Sequence, residues 1–183
     1  EFCDQLVEHG HRVIRFDNRD AGLSSKTDAP LPATGDLARL LGPASRRPSV
    51  PYTLSDMADD AMAVLDAEGV ESAHIVGASL GGMIAQTVAI EHSHRVRSLT
   101  SIMSKTGAMF AGLPTPKTLK MLLTERPARP EDAVEADLAR YELIAGPLFD
   151  RERTLAFVKT AIERSYNPSG AQHQLAAMFA SGD

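Results

Sequence analysis

One cysteine, Cys3, is all the thiol the 183 residues hold, so no disulfide can close within them. A reducing compartment, the cytoplasm, is the expected setting. Standing alone, Cys3 reads as a small buried hydrophobe rather than a nucleophile. Basic runs are missing as well: 19 Lys and Arg face 24 Asp and Glu, for a net charge of −5. That balance offers no footprint for a phosphate backbone or an anionic lipid surface, so neither nucleic acid nor membrane is an expected partner. No apolar run approaches the roughly 20 residues a membrane span needs. Nor does Glu1 open a basic-then-apolar leader. Phe2, Cys3, Leu6 and Val7 instead share one helical face ending at Gly10, and Leu175 to Phe179 closes the chain in a helical pattern. The expectation is a fragment cut at both ends.

What is present is ordinary globular usage, 43% hydrophobic and 23% charged, in a length that suits one domain. After the first helix, Arg12-Val13-Ile14-Arg15-Phe16 alternates as a short strand and runs into the polar loop Asp17 to Ser24. Residues 25–51 have no period and read as an irregular surface connection. Thr53-Leu54-Ser55-Asp56 is a capping box opening a helix that Gly69 ends. Leu54, Met57, Ala58, Ala61, Met62 and Leu65 form its inward stripe, and Asp56, Asp59, Asp60, Asp66 and Glu68 a solvated acidic face rather than a paired-carboxylate site. Ala73 to Val76 is a strand, Leu80 to His92 a helix apolar nearly all round, and Arg95 to Met103 a further strand. Strand, helix, strand, helix, strand is the parallel βαβ pattern, and the short apolar strands suit a sheet covered on both faces. Beyond Lys105 only helices are expected, at 117–124, 130–144, 150–164 and 171–179. The division is a partial α/β core over residues 1–105 and a helical lid over 106–183, lying across the C-terminal edge of the sheet.

The chemistry gathers at Gly77-Ala78-Ser79-Leu80-Gly81-Gly82, where a strand turns a one-residue corner into a helix. Glycine-x-serine-x-glycine alone is a weak signal; the strand before it and the helix after it give it weight. Gly77 and Gly81 let strand and helix pass closely. The free N–H groups and the positive end of the helix dipole point where an oxyanion would form. A serine nucleophile also needs a base and a group that orients it. His9, His11, His74, His92, His94 and His173 are the histidines. His92 and His94 lie about 18 Å along the helix from Ser79 at 1.5 Å per residue, and His92-x-His94 has no third metal ligand spaced nearby. Ser79, Asp150 and His173 follow in serine–acid–histidine order. However, His173 lies inside a helical pattern rather than on a loop past a strand, and both partners read as lid residues.

These residues together resemble the α/β-hydrolase superfamily, from Glu1 to about Met103 and more loosely through Asp183. Asp17-Asn18-Arg19-Asp20-Ala21-Gly22-Leu23-Ser24 is similar to that family's aspartate-x-arginine-glycine-x-glycine-x-serine loop after its fourth strand, with Asp20 in place of the first glycine. That replacement, and Arg164 to Gly170 followed by Gln172 to Asp183, are similar to a subgroup that includes aclacinomycin methylesterase. The resemblance implies that Ser79 is the nucleophile and that Leu80 supplies one oxyanion N–H. It places the second oxyanion donor before Glu1, and the acid and histidine after Asp183. The expected activity of the parent protein is hydrolysis of a small-molecule carboxylic ester through an acyl-enzyme on Ser79, with no cofactor and no metal. The segment alone is expected to be inactive. Haloperoxidase without cofactor, thioesterase and carbon–carbon hydrolase share the fold and corner, and a non-catalytic hydrolase-like binding protein is the alternative of another class. Met109, Phe110, Leu113, Met121 and Leu122 read as a lid packing its own core before a substrate pocket.

Overall fold

The computed structural model describes residues 2–30, 49–106 and 115–181. Helix α1 (Phe2–Glu8) is followed by α2 (Leu54–Ala67), strand β1 (Ala73–Ala78), α3 (Leu80–Glu91) and strand β2 (Val96–Ile102). Then come α4 (Pro116–Leu123), α5 (Pro130–Ala145), α6 (Arg151–Arg164) and α7 (Pro168–Ala180). Each of the four expected C-terminal helices is present, with bounds within three residues of the expectation. Most of the long connection, 31–48, lies outside the described residues, as do Met109, Phe110 and Leu113.

The capping box forms as read: Thr53 Oγ1 accepts from Asp56 N at 3.3 Å, and Asp56 Oδ2 accepts from Thr53 N at 2.7 Å. The stripe it sets up buries Leu54, Met57, Ala58, Met62 and Leu65. Across from it, α3 buries Gly82, Met83, Ile84, Ala85 and Val88. The two stripes form one core with Tyr52 and with Ala177 of α7, into which Ile75 of β1 and Val96 of β2 pack from the sheet. Met57 and Val88, both fully buried, lie in that core. A helix apolar nearly all round is expected to be buried on most sides; in α3 the side that stays open carries Ile90, which is 79% exposed.

The acidic residues on and just after α2 face solvent and also meet basic side chains. Asp60 takes Arg19, Asp59 takes His92, Asp66 takes Arg95 and Glu68 takes Arg12. These partners come from sequence on both sides of the helix, so they tie α2 to its surroundings.

β1 and β2 are parallel, with Ala78 opposite Ile102 and a register irregularity between Ala73 and His74. Two expectations are corrected here. Residues 12–16 form no strand, because an alternating run becomes a strand only on a hydrogen-bonded ladder and the described sheet has only β1 and β2. Nor is this sheet covered on both faces: Val76 is 47% and Leu99 41% exposed.

Candidate active site

Ser79 occupies the corner between β1 and α3 with φ 53° and ψ −120°, a backbone conformation that side-chain-bearing residues adopt at a cost. Both flanks hold it there. Its N–H donates to Ile102 O at 2.8 Å, at the end of β2, and its carbonyl accepts from Gly82 N at 2.9 Å and Met83 N at 3.2 Å in the first turn of α3. The backbone is thus fully engaged. The hydroxyl makes no capping hydrogen bond to its own helix, and the residue is exposed. A free hydroxyl at the mouth of a helix N-terminus is what nucleophilic attack with stabilisation of a developing anion requires. Leu80, the first residue of α3, contributes an N–H for which the described loop and turn bonds provide no acceptor, as expected for an opening helical turn.

The glycines around the serine divide the labour differently from the motif's symmetry. A Cβ on Gly77 would land on the Gly81 carbonyl, so strand and helix touch there through bare backbone. A Cβ on Gly81 would meet nothing within 4 Å, whereas at Gly82 it would press on Ser104 Cβ at 2.7 Å and Ser101 Oγ at 2.9 Å. The close approaches therefore fall at Gly77 and Gly82. Gly81 participates through its backbone. Gln86 completes this contact, donating from Nε2 to Ser101 Oγ at 2.9 Å and Ser104 Oγ at 3.3 Å.

No described histidine bonds to Ser79. The His74 ring pairs with Ser98 Oγ at 2.7 Å, His92 with Asp59 at 3.0 Å and His9 with Gln5 O at 2.7 Å. His11 sits edge-on to His74. Asp150 caps α6, accepting from Arg153 N at 3.0 Å. His173, 1% exposed, directs Nε2 to Ala29 O at 3.1 Å and Nδ1 toward Asp20 Oδ2 at 3.3 Å, without aligning as a hydrogen bond at Nδ1. The ordered trio of Ser79, Asp150 and His173 is therefore not a constellation. Among the described residues, no three His, Cys, Asp or Glu side chains converge as a metal site.

A second polar centre, unforeseen from the sequence, surrounds Asp20. This residue has φ 66° and is 3% exposed. Its Oδ2 accepts from the Tyr52 hydroxyl at 2.7 Å, its Oδ1 from Thr27 N at 2.7 Å, and its carbonyl from Asn167 Nδ2 at 2.9 Å. Burial, reinforced by that hydrogen bond to Asp20, pushes the Tyr52 phenol well above its ordinary 10.0, so it remains a donor. Arg19 grips Asp60 through Nε at 2.6 Å and Nη2 at 2.7 Å while its guanidinium lies over the Tyr52 ring. Nearby, Asp17 is clasped by both terminal nitrogens of Arg164, at 3.0 and 2.6 Å. A φ of 66° is one that glycine adopts without strain. Asp20 is retained by its bonds in spite of the strain. A lone histidine within a helical pattern gave no signal that it would meet an aspartate 153 positions earlier.

Comparison with known proteins adds to this geometry. The family described as alpha/beta hydrolase fold matches residues 1–174. Rhodomycin D methylesterase DauP of Streptomyces sp. (strain C5) is 32% identical over 165 residues, covering 80% of this chain and 49% of the relative. A putative carbamate hydrolase RutD of Variovorax paradoxus (strain S110) is 34% identical over 97 residues, 53% of this chain and 29% of that protein. Among solved structures, a hydrolase from Pseudomonas aeruginosa PA01 superposes with a TM-score of 0.53 at 23% identity, over 99% of this chain and 57% of the other. Est816, described as an N-acyl homoserine lactone degrading enzyme, gives 0.50 at 27% identity over 90% and 54%. The chain spans about half the length of the methylesterase it matches. No helix among the described residues is long and apolar enough to cross a membrane.

Proposed function

The chain belongs to the α/β-hydrolase fold family, and from that premise we propose that it carries the nucleophile of a serine esterase, Ser79. Ser79 Oγ attacks the carbonyl carbon of a small-molecule carboxylic ester, and its proton leaves to a base outside the set of described histidines. The carbonyl π electrons move to oxygen, and the resulting oxyanion accepts from Leu80 N–H at the start of α3. Collapse of the tetrahedral intermediate breaks the ester C–O bond, and the alcohol departs with a proton. Water then attacks the acyl-enzyme by the same route, releasing the acid and restoring Ser79. No cofactor enters these steps.

The observation that carries the reading is the conformation of Ser79: a strained backbone held by Ile102 and by the first turn of α3, with the hydroxyl left free. Support from outside the chain comes from its similarity to a methylesterase. In the same reading, residues 1–105 are part of the hydrolase core and residues 106–183 form a helical lid. With no described histidine on Ser79, the 183 residues alone turn over no ester. The decisive experiment is labelling of the full gene product with a fluorophosphonate probe. Labelling at Ser79 that disappears in Ser79→Ala supports the assignment; labelling that persists in that variant removes it.

A further inference from the structure

Met103 is a non-glycine residue with positive φ, 50°, in the position directly after β2. Its side chain is 80% exposed and joins neither hydrophobic cluster of the described residues. A methionine at positive φ that stands outside both clusters of the described residues contributes little to the described core, which calls for an explanation other than stability. Its neighbours on both sides are anchored. Ile102 gives its carbonyl to Ser79 N at 2.8 Å. Ser104 packs against Gly82 and accepts from Gln86. Met103 thus lies between two residues that are held by contacts of the serine corner.

The place where the side chain emerges is equally determined. Ala78 and Ile102 are register partners in parallel strands, so Ser79 and Met103 are the next residues at the same C-terminal sheet edge. Adjacent strands lie about 4.8 Å apart, which brings the root of the methionine within a side chain's length of the serine. Open parallel sheets bind their ligands at this edge. A thioether on an unbranched, adaptable stem suits an apolar surface of variable shape, and sulfur contacts aromatic rings favourably.

We infer that Met103 is a substrate-contact residue whose thioether packs against the acyl body of the ester attacked by Ser79, favouring flat aromatic acyl groups over short aliphatic ones. This rests on the esterase reading of Ser79. The test uses the full gene product and two methyl esters, methyl 2-naphthoate and methyl acetate, with acid release followed by pH-stat titration. Met103→Gly is the first variant, because glycine accepts the positive φ and truncates the side chain without strain. The expected result is a loss of about five- to tenfold in kcat/KM on the naphthoate relative to the acetate. Equal effects on both esters, or none, overturn the inference. Should Met103→Gly fail to fold, Met103→Leu carries the test, with an expected loss of about threefold confined to the naphthoate. Ser79→Ala separates the two levels. If it abolishes turnover while the Met103 variants leave the ester preference unchanged, only the Met103 inference falls. If turnover survives Ser79→Ala, the serine reading falls and takes this inference with it; if the unaltered protein hydrolyses neither ester, the aromatic acyl preference and with it the Met103 inference fall, while the serine reading is decided by the fluorophosphonate label.

Discussion

Among the described residues, two regions hold non-glycine residues at positive φ, and they use it in opposite ways. At Asp20 the strained backbone comes with a buried carboxylate that accepts from Tyr52 and Thr27, under a carbonyl that accepts from Asn167. At the sheet edge, Ser79 and Met103 also have positive φ, but their side chains are exposed and the hydrogen bonds around them are made by backbone. A strained residue with every side-chain atom engaged is a fastener. A strained residue whose side chain is left free is presented for use. The sign of φ alone does not distinguish them; the partners of the side chain do.

That distinction fails or sharpens under substitution. The largest effect is expected at Ser79: Ser79→Ala in the full gene product should lower ester turnover by about 10⁴-fold or more, while the thermal midpoint stays within a few degrees. A large fall in stability would place Ser79 with the fasteners. Next comes Gly77→Ala, which forces a methyl group onto the Gly81 carbonyl. It should cost about 2–3 kcal/mol of stability in urea unfolding and reduce activity with it. Asp20→Ala should cost about 2–3 kcal/mol, because Tyr52 and Thr27 lose their acceptor. Asp20→Gly should recover part of that loss, since glycine adopts a φ of 66° without strain. Gly81→Ala is the smallest, expected within about 1 kcal/mol of the parent, because among the described residues nothing beyond its own helix lies within 4 Å of the methyl group it would gain.

Acid provides another handle on the fastening loop. Arg164, with the Leu23 N–H, holds the Asp17 carboxyl below its ordinary 3.8. A carboxylate with a lowered folded-state value contributes its stability in full above about pH 4, near the unfolded-chain value, and loses it as pH falls through the lowered value. Thermal midpoints should therefore drop below about pH 4, and Asp17→Asn should flatten that part of the profile. An unchanged profile would show that this exposed pair is screened by solvent to insignificance.

The serine corner was legible in the sequence because its parts are local. Strand, corner and helix are contiguous from Ala73 to Glu91, and the capping box of Thr53 and Asp56 lies within a single helical turn. What escaped depends on tertiary neighbours. Gly81 and Gly82 are indistinguishable in a motif, and only Ser104 folding against Gly82 shows which one must be bare. The alternation of Arg12 to Phe16 predicts a strand but cannot supply the partner that makes one. Asp20 and His173 meet across nearly the whole chain, and nothing near either residue announces it. Met103 read simply as the last residue of a strand, since its backbone sign is invisible in composition.

The ties between the loop at 17–20 and the last two helices have a kinetic consequence. Asp17 with Arg164, Asp20 with Asn167 and Arg19 with Gln174 each join residues 147 to 155 positions apart. Closing loops of that length costs entropy before any contact repays it, so such ties form late, after the local β1–α3–β2 unit has assembled. Contacts absent from the transition state act on the exit from the native state. Loosening the Asp17–Arg164 clasp should therefore act on the unfolding rate and leave the refolding rate nearly untouched.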